Sequence, residues 1–364
     1  MGGPVARELA AWGPSLGVVS IYLELDPADR GEGWRTRLHN GLEQLRRAAA
    51  GAEHERKVAL RATADRIEAR FDSAEPPRPR AEAGFVEVAA KAGRELWQHF
   101  HLAPRQGAAG VHLGAAPVLA PLLDLVRRSR PRAVALVSAE RLRLLRWAPG
   151  EREELADWEL TLFSDDWRER KSPRPSDRAA TSGISASGHD RFDQRLEANR
   201  ERFLSECGRR AARLAGERAL GELLAFGSPP HVNRFAEGAG PAPLELVSAG
   251  DQDLIAAAAG ELEAPIAAAT ERTEVERERK LALRALDGAR GGGRGSAGAD
   301  ETAVALGEGR VEHLLFDFGA DGSAPDVEPL IRAALATDAA ITWVAPAASG
   351  LLADSDGVAA LLRY

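Results

Sequence analysis

The sequence predicts a mixed α/β protein built from more than one domain. Three observations carry this. Short β-branched or alternating apolar runs recur at 17–25, 132–138, 141–147, 222–226, 311–318 and 339–344. Amphipathic stretches at helical spacing stand between them. The 364 residues exceed one ordinary domain of roughly 100–200 residues.

Composition bounds the class. The chain is 44% hydrophobic and 28% charged, ordinary for a globular protein. Aromatics make up only 5%, so Leu, Ala and Val must build most of the core. The single cysteine, Cys207, rules out an intrachain disulfide and a cysteine zinc site. It falls on an apolar helical stripe, which reads as a buried, inert thiol. No segment has the pattern of a signal peptide or the roughly 18 apolar residues of a membrane span, so the expectation is a cytoplasmic protein without a membrane partner. A net charge of −7 argues against broad coating of DNA or RNA and leaves room for local basic faces.

The elements follow in order. Residues 17–25 form a strand ended by Asp26-Pro27. Trp34 to Arg47 is a helix with Trp34, Leu38, Leu42 and Leu45 on one face, and Glu53 to Phe71 is a second. Gly84 to Val88 reads equally as a strand or a helix start. Leu113 to Val126 mixes a loop and a helix. After Pro131, residues 132–138 and 141–147 make a hairpin around Ser138-Ala139-Glu140, and Trp158 to Phe163 alternates as a third strand. A long polar, basic segment follows, holding Arg170 and Lys171; it is either an RNA contact or a solvated loop.

Thr181 to Gly188 is a small-residue loop leading into a long charged helix. Phe192, Leu196, Phe203, Cys207, Ala211 and Leu214 make its apolar stripe. Ser187 or Asp190 caps its start. Arg191, Arg195, Arg202, Arg209, Arg210 and Arg213 lie off the stripe; Arg195, Arg202 and Arg209, seven apart, share a face. A strand at 222–226, a helix from Val232 and a strand at 244–247 come next. Asp251-Gln252-Asp253 starts a helix, Pro265 either kinks it or begins the next, and Thr270 to Leu286 is a charged helix. The run 288–298 reads as a flexible linker, since it lacks the ending of a phosphate-binding loop. Asp300 caps the next helix. Strands at 311–318 and 339–344, a helix over 327–336, and a closing strand at 357–364 complete the chain.

Arg191-Phe192-Asp193-Gln194-Arg195-Leu196, entered from a small-residue loop, resembles the central domain of the archaeal and eukaryotic class I peptide-chain release factors. There a Gly-Gly-Gln loop precedes an S-A-x-R-F-x-R-L helix start. This chain has Ser185-Ala186-Ser187, then Gly188, at that place, which points to a divergent bacterial branch of the superfamily. Residues 301–315 and 357–364 resemble two motifs of the release-factor and Pelota C-terminal domain. The resemblance covers 131–364. It implies a ribonuclease-H-like central domain (131–248) and an L7Ae-like C-terminal domain (249–364), after an N-terminal α/β domain (1–130) without a codon-reading motif.

The resemblance further implies partners: the ribosome, tRNA and rRNA, with a possible protein partner on the C-terminal domain, and no cofactor. Release is attack of water on the ester joining peptide to tRNA, which needs a positioned water and an oxyanion donor. Backbone amides at Gly183, Ser185, Ser187 and Gly188 are the candidates, with Gln194 as a speculative substitute for the missing glutamine; His189 could act as a base but reads more simply as a loop residue. Arg191, Arg195, Arg202, Arg170 and Lys171 are the candidate RNA contacts. The expectation is ribosome rescue or translation quality control rather than stop-codon reading. The alternatives are an inactive ribosome- or RNA-binding adaptor and a stress-linked interaction protein without an RNA partner. His99, His101 and His112 lack the acidic or cysteine partners of a metal site.

Overall fold

The computed structural model describes residues 2–25, 32–72, 80–105, 107–160, 184–240, 245–317, 327–345 and 350–364. Side chains of 184–193 are not among those described. The chain divides into two compact units, Pro131–Thr273 and a second made of Met1–Arg130 with Glu274–Tyr364.

The composite unit carries two sheets. The first, in the order β3-β2-β1-β4, is antiparallel and combines β1 (Val18–Glu24), β2 (Ala81–Glu87), β3 (Glu95–Phe100) and β4 (Gly110–Gly114). Gly84 to Val88 is therefore strand. One face is covered by α2 (Glu32–Ala50) and α3 (His54–Asp72), with Trp34, Leu38, Leu42 and Leu45 buried as their spacing requires. Sequence analysis overlooked α1 (Gly2–Ala10), a short helix whose Leu9 is fully buried. The second sheet has the order β10-β13-β11-β12, from β10 (Gly295–Ala297), β11 (Val311–Phe316), β12 (Ala340–Trp343) and β13 (Val358–Leu362). It is flanked by α8 (Ala299–Gly307) and α9 (Glu328–Ala336). The two sheets share one core. Tyr22, Phe85, Leu122 and Leu125, with α4 (Ala120–Arg128), meet Leu314, Phe316, Ile331 and Trp343.

The central unit holds a five-stranded mixed sheet, β7-β6-β5-β8-β9. β5 (Arg132–Val137) and β6 (Arg141–Ala148) form the expected hairpin. β5, β8 (Glu222–Phe226) and β9 (Glu245–Gly250) are parallel, joined by α5 (Ile184–Glu217) and α6 (Pro229–Ala239). One face packs on Leu204, Cys207, Ala211 and Phe235 of these helices. The other packs on Leu262, Ile266 and Ala269 of α7 (Ala259–Arg290). The expected boundary at 248 falls inside β9, and α7 supplies the central core before its later residues Ala282, Ala285 and Leu286 pack on the second sheet of the composite unit.

Four expectations need correcting. The third central strand is β7 (Glu151–Glu159), which begins well before the expected start at Trp158. Gly150 takes a φ of 75° and turns the chain straight back from β6. Its run of acids hid it as a strand, and Phe163 lies outside the described residues. Second, no helix starts at Asp251. Asp253 accepts from the Ile255 amide at 3.1 Å, and Arg143 donates to the carbonyls of Ile255 and Ala257 at 3.1 Å, so the backbone of this segment is satisfied without a helix. The helix begins at Ala259 with Glu261 accepting from the Ala258 amide at 2.7 Å, and Pro265 sits inside it. Third, the glycine run is no linker. It ends α7 and enters β10, and a Cβ on Gly295 would overlap the Ala285 carbonyl oxygen and stand 2.5 Å from the Ala289 nitrogen. These glycines allow close backbone approach. Fourth, the N-cap of α8 is Gly298, with Asp300 in the first turn.

Candidate nucleic-acid interface on the central unit

α5 extends the expected helix in the N-terminal direction. Its 34 residues begin at Ile184, so Ser185, Ser187 and Gly188 have helical backbone rather than loop backbone. Neither Ser187 nor Asp190 caps it. Elongation explains this: once a helix exists, each further residue adds a hydrogen bond, and Ser-Ala-Ser offers no steric objection. The amides of the first turn, from Ile184 to Ala186, lack intrahelical acceptors, whereas the Gly188 amide points at the Ile184 carbonyl. Gly183, Arg170 and Lys171 lie outside the described residues, and so does the side chain of Arg191.

The arginines of α5 fall into two groups. Arg209 donates to Glu206 at 2.6 Å and Arg210 to the same carboxylate at 3.0 Å, which holds Glu206 below the usual carboxylate range. Arg213 faces Glu217 at 3.8 Å, and Arg200 reaches Glu140 at 2.5 Å. Arg195 and Arg202 are exposed and have no hydrogen bond or ion pair among the described residues. The nearby acids are engaged elsewhere, Glu197 with Arg200 and Glu201 with Arg234. The two free guanidiniums stand two helical turns apart, about 10 Å. Gln194 is exposed beside Arg195. Of the seven-spaced triplet, Arg209 is neutralised and two cations remain.

Cys207 is buried at the base of the helix, and burial pushes its thiol up to about 12. The histidines are not brought together: His99 lies on β3 and His112 on β4, the opposite edges of the first sheet. Among the described residues no group of three or more His, Cys, Asp or Glu could hold a metal ion. No helix of the described residues is long and apolar enough to cross a membrane. Sequence reasoning missed a buried network of Arg105, Asp124, Arg127, Glu274 and Glu278 in the composite unit. Glu274 and Glu278, one turn apart on α7, were the available signal, hidden in a charge run that reads as solvated.

The central unit is thus a mixed sheet crossed by one long helix, which carries two cations, Arg195 and Arg202, without a partner among the described residues. Residues 117–278 match the model of the family described as Bacterial archaeo-eukaryotic release factor family 10. That stretch is less than half of the chain, and over it the sequence is similar to that family. No curated protein matches it. Among solved structures, an archaeal translation termination factor, aRF1, aligns at 16% identity over 100% of this chain and 97% of that one, with a TM-score of 0.25. The structure titled as a model of ribosome-bound archaeal Pelota and ABCE1 aligns at 13% identity over 100% and 94%, with a TM-score of 0.41. S. cerevisiae Dom34, described as a translation termination-like factor, aligns at 9% identity over 78% and 80%, with a TM-score of 0.40. These overlaps are too loose to bear on function.

Proposed function

We propose that this protein is a ribosome-associated, release-factor-like factor that acts on peptidyl-tRNA during ribosome rescue or translation quality control. The match of residues 117–278 to the bacterial release-factor family carries the reading. The arrangement on α5 supports it. Arg195 and Arg202 meet RNA phosphates, and the first-turn amides of the helix face the reacting ester as hydrogen-bond donors. Ser185, Ser187 and Gly188 lie at this end, and Gln194 nearly two turns beyond. Gly183, Arg170 and Lys171, which lie outside the described residues, and Arg191 remain candidates in this reading from the sequence alone. The protein supplies position and donors, and the ribosome supplies the rest of the catalysis. Loss of one oxyanion donor costs about 10²–10³ in rate.

Stalled ribosome–nascent-chain complexes test this. The purified protein releases peptide, and Ser187→Pro, which breaks the first turns of α5, abolishes release. One observation favours a second reading. Ser185-Ala186-Ser187 stands in place of Gly-Gly-Gln, so a non-hydrolytic adaptor would co-sediment with ribosomes in a salt-sensitive way without releasing peptide. Absence of both release and co-sedimentation refutes a role on the ribosome.

A further inference from the structure

α5 runs for 34 residues, and among its described side chains those that join the core lie in its second half. Leu204, Cys207, Ala211 and Ala215 are buried in the central core, with Phe203 and Leu214 packed against them. From Gln194 to Asn199 no described side chain joins that core. The last tie is Arg200 to Glu140, in the turn between β5 and β6.

The anchor is a contact of backbone on backbone. A Cβ on Gly208 would overlap the Phe235 carbonyl oxygen of α6 and stand 2.7 Å from the Ala239 nitrogen. A Cβ on Gly238 of α6 would overlap the Ser205 carbonyl oxygen of α5 and stand 2.6 Å from the Ser205 Cα. These neighbours are main-chain atoms and cannot rotate away. Gly216, on the same helix, has nothing within 4 Å of its would-be Cβ. Each mid-helix glycine costs about 1 kcal/mol relative to alanine. At Gly208 and Gly238 that cost secures a closer approach of the two helices than any side chain permits.

From Gly208 to Ile184 the helix spans 24 residues, about 36 Å at 1.5 Å per residue. A tilt of about 5–10° at the crossing therefore moves the far end by about 3–6 Å. Positioning errors of about 1 Å are enough to cost roughly 10²-fold in rate where a group must meet a reacting atom.

We propose that the Gly208–Gly238 crossing is the fulcrum that aims the N-terminal arm of α5, which makes both glycines positioning residues. The effect on release rests on the function proposed above; the aim of the arm does not. Spin labels at Gln194→Cys on the arm and Asn233→Cys on α6 read the aim directly, because buried Cys207 stays unlabelled. The background protein gives one narrow distance distribution. Gly208→Ala shifts or broadens it by several ångströms while circular dichroism stays native, and Gly238→Ala does the same. Gly216→Ala leaves it unchanged. A broad distribution in the background protein overturns the proposal, and so does an unchanged one in folded Gly208→Ala. If both alanine variants unfold, the crossing is a requirement of folding rather than of aim, and the proposal fails. On stalled ribosomes Gly208→Ala lowers release at least tenfold with co-sedimentation retained. Protein with native Gln194 and Asn233 that ignores ribosomes refutes the proposed function and leaves the distance result standing.

Discussion

Glu278 is 0% exposed, and its carboxylate receives Arg105 at 2.8 Å, Arg127, and the Ala345 amide at 2.7 Å. Arg127 also meets Asp124 at 3.3 Å and Glu274. A buried network of this kind adds little net stability, because desolvation offsets the Coulomb gain; removing one member strands the others. Arg127→Met should therefore cost about 3–5 kcal/mol by denaturant unfolding. Arg213→Ala, at an exposed pair, should stay within about 0.5 kcal/mol. Equal effects would mean the network is not closed in solution. Nearby, His313 on β11 bonds Thr342 at 2.8 Å, and burial, with Arg127 and Arg284 close by, lowers its pKa to about 4. Between about pH 4 and 6.5 the unfolded chain holds a proton on this ring that the folded protein refuses. Stability thus falls as pH drops from about 6.5 and levels near 4, a loss on the order of 3 kcal/mol. Denaturation midpoints of His313→Gln should show a flatter pH dependence than the native protein over that window; parallel curves would refute it.

At the scale of elements, legibility followed how directly the sequence reports burial. β5, β8 and β13 are mostly apolar runs buried along their whole length, β11 buries Val311 and Leu314 to Phe316, and each was readable. β7 was not, because an edge strand needs only one covered face and its acids pair with arginines of β6: Arg141 with Asp157 at 2.6 Å and Arg143 with Glu154 at 3.1 Å. The glycine run 288–298 misled for a different reason. Composition cannot distinguish glycines that move from glycines that let two segments touch, and contact is a tertiary fact. The distinction is measurable. Gly295→Ala, which drives a Cβ into the Ala285 carbonyl, should destabilise by more than about 2 kcal/mol. Gly293→Ala, with its nearest neighbour at 3.5 Å, should stay within about 1 kcal/mol. Similar midpoints for the two in urea would restore the linker reading. The candidate site was legible in part: the spacing of Arg195 and Arg202 gave the cationic face, while the N-terminal extension of α5 depends on helix elongation that no cap residue announces.

For the whole molecule, the order of sheets along the chain suggests three successive domains, and each sheet does draw its strands from one third. Cores are a different matter. The central unit is closed on itself, since both of its apolar clusters come from residues 133–269. The two sheets of the composite unit instead share a cluster in which Trp12, Tyr22, Phe85 and Leu125 face Phe316, Ile331 and Trp343. Polar clasps reinforce it. Glu328 of α9 accepts from the amides of Leu119 and Ala120 at 2.8 and 2.9 Å, at the start of α4, and Arg332 donates to the carbonyls of Ala10 and Pro117. A sequence gives no direct sign that two apolar faces so far apart along the chain, Phe85 and Phe316 for example, are each other's solvent shield. The consequence can be tested with fragments. Residues 131–273 alone should give a dispersed amide spectrum and a cooperative melt, because no core residue is missing. Residues 1–130 alone should bind a hydrophobic dye and aggregate, since the face around Tyr22 and Phe85 is open to water. Adding residues 274–364 in trans should suppress dye binding and restore dispersion. A monomeric, well-dispersed 1–130 fragment would show that the first sheet closes its own core, and that the clasp of Glu328 and Arg332 joins two bodies already folded.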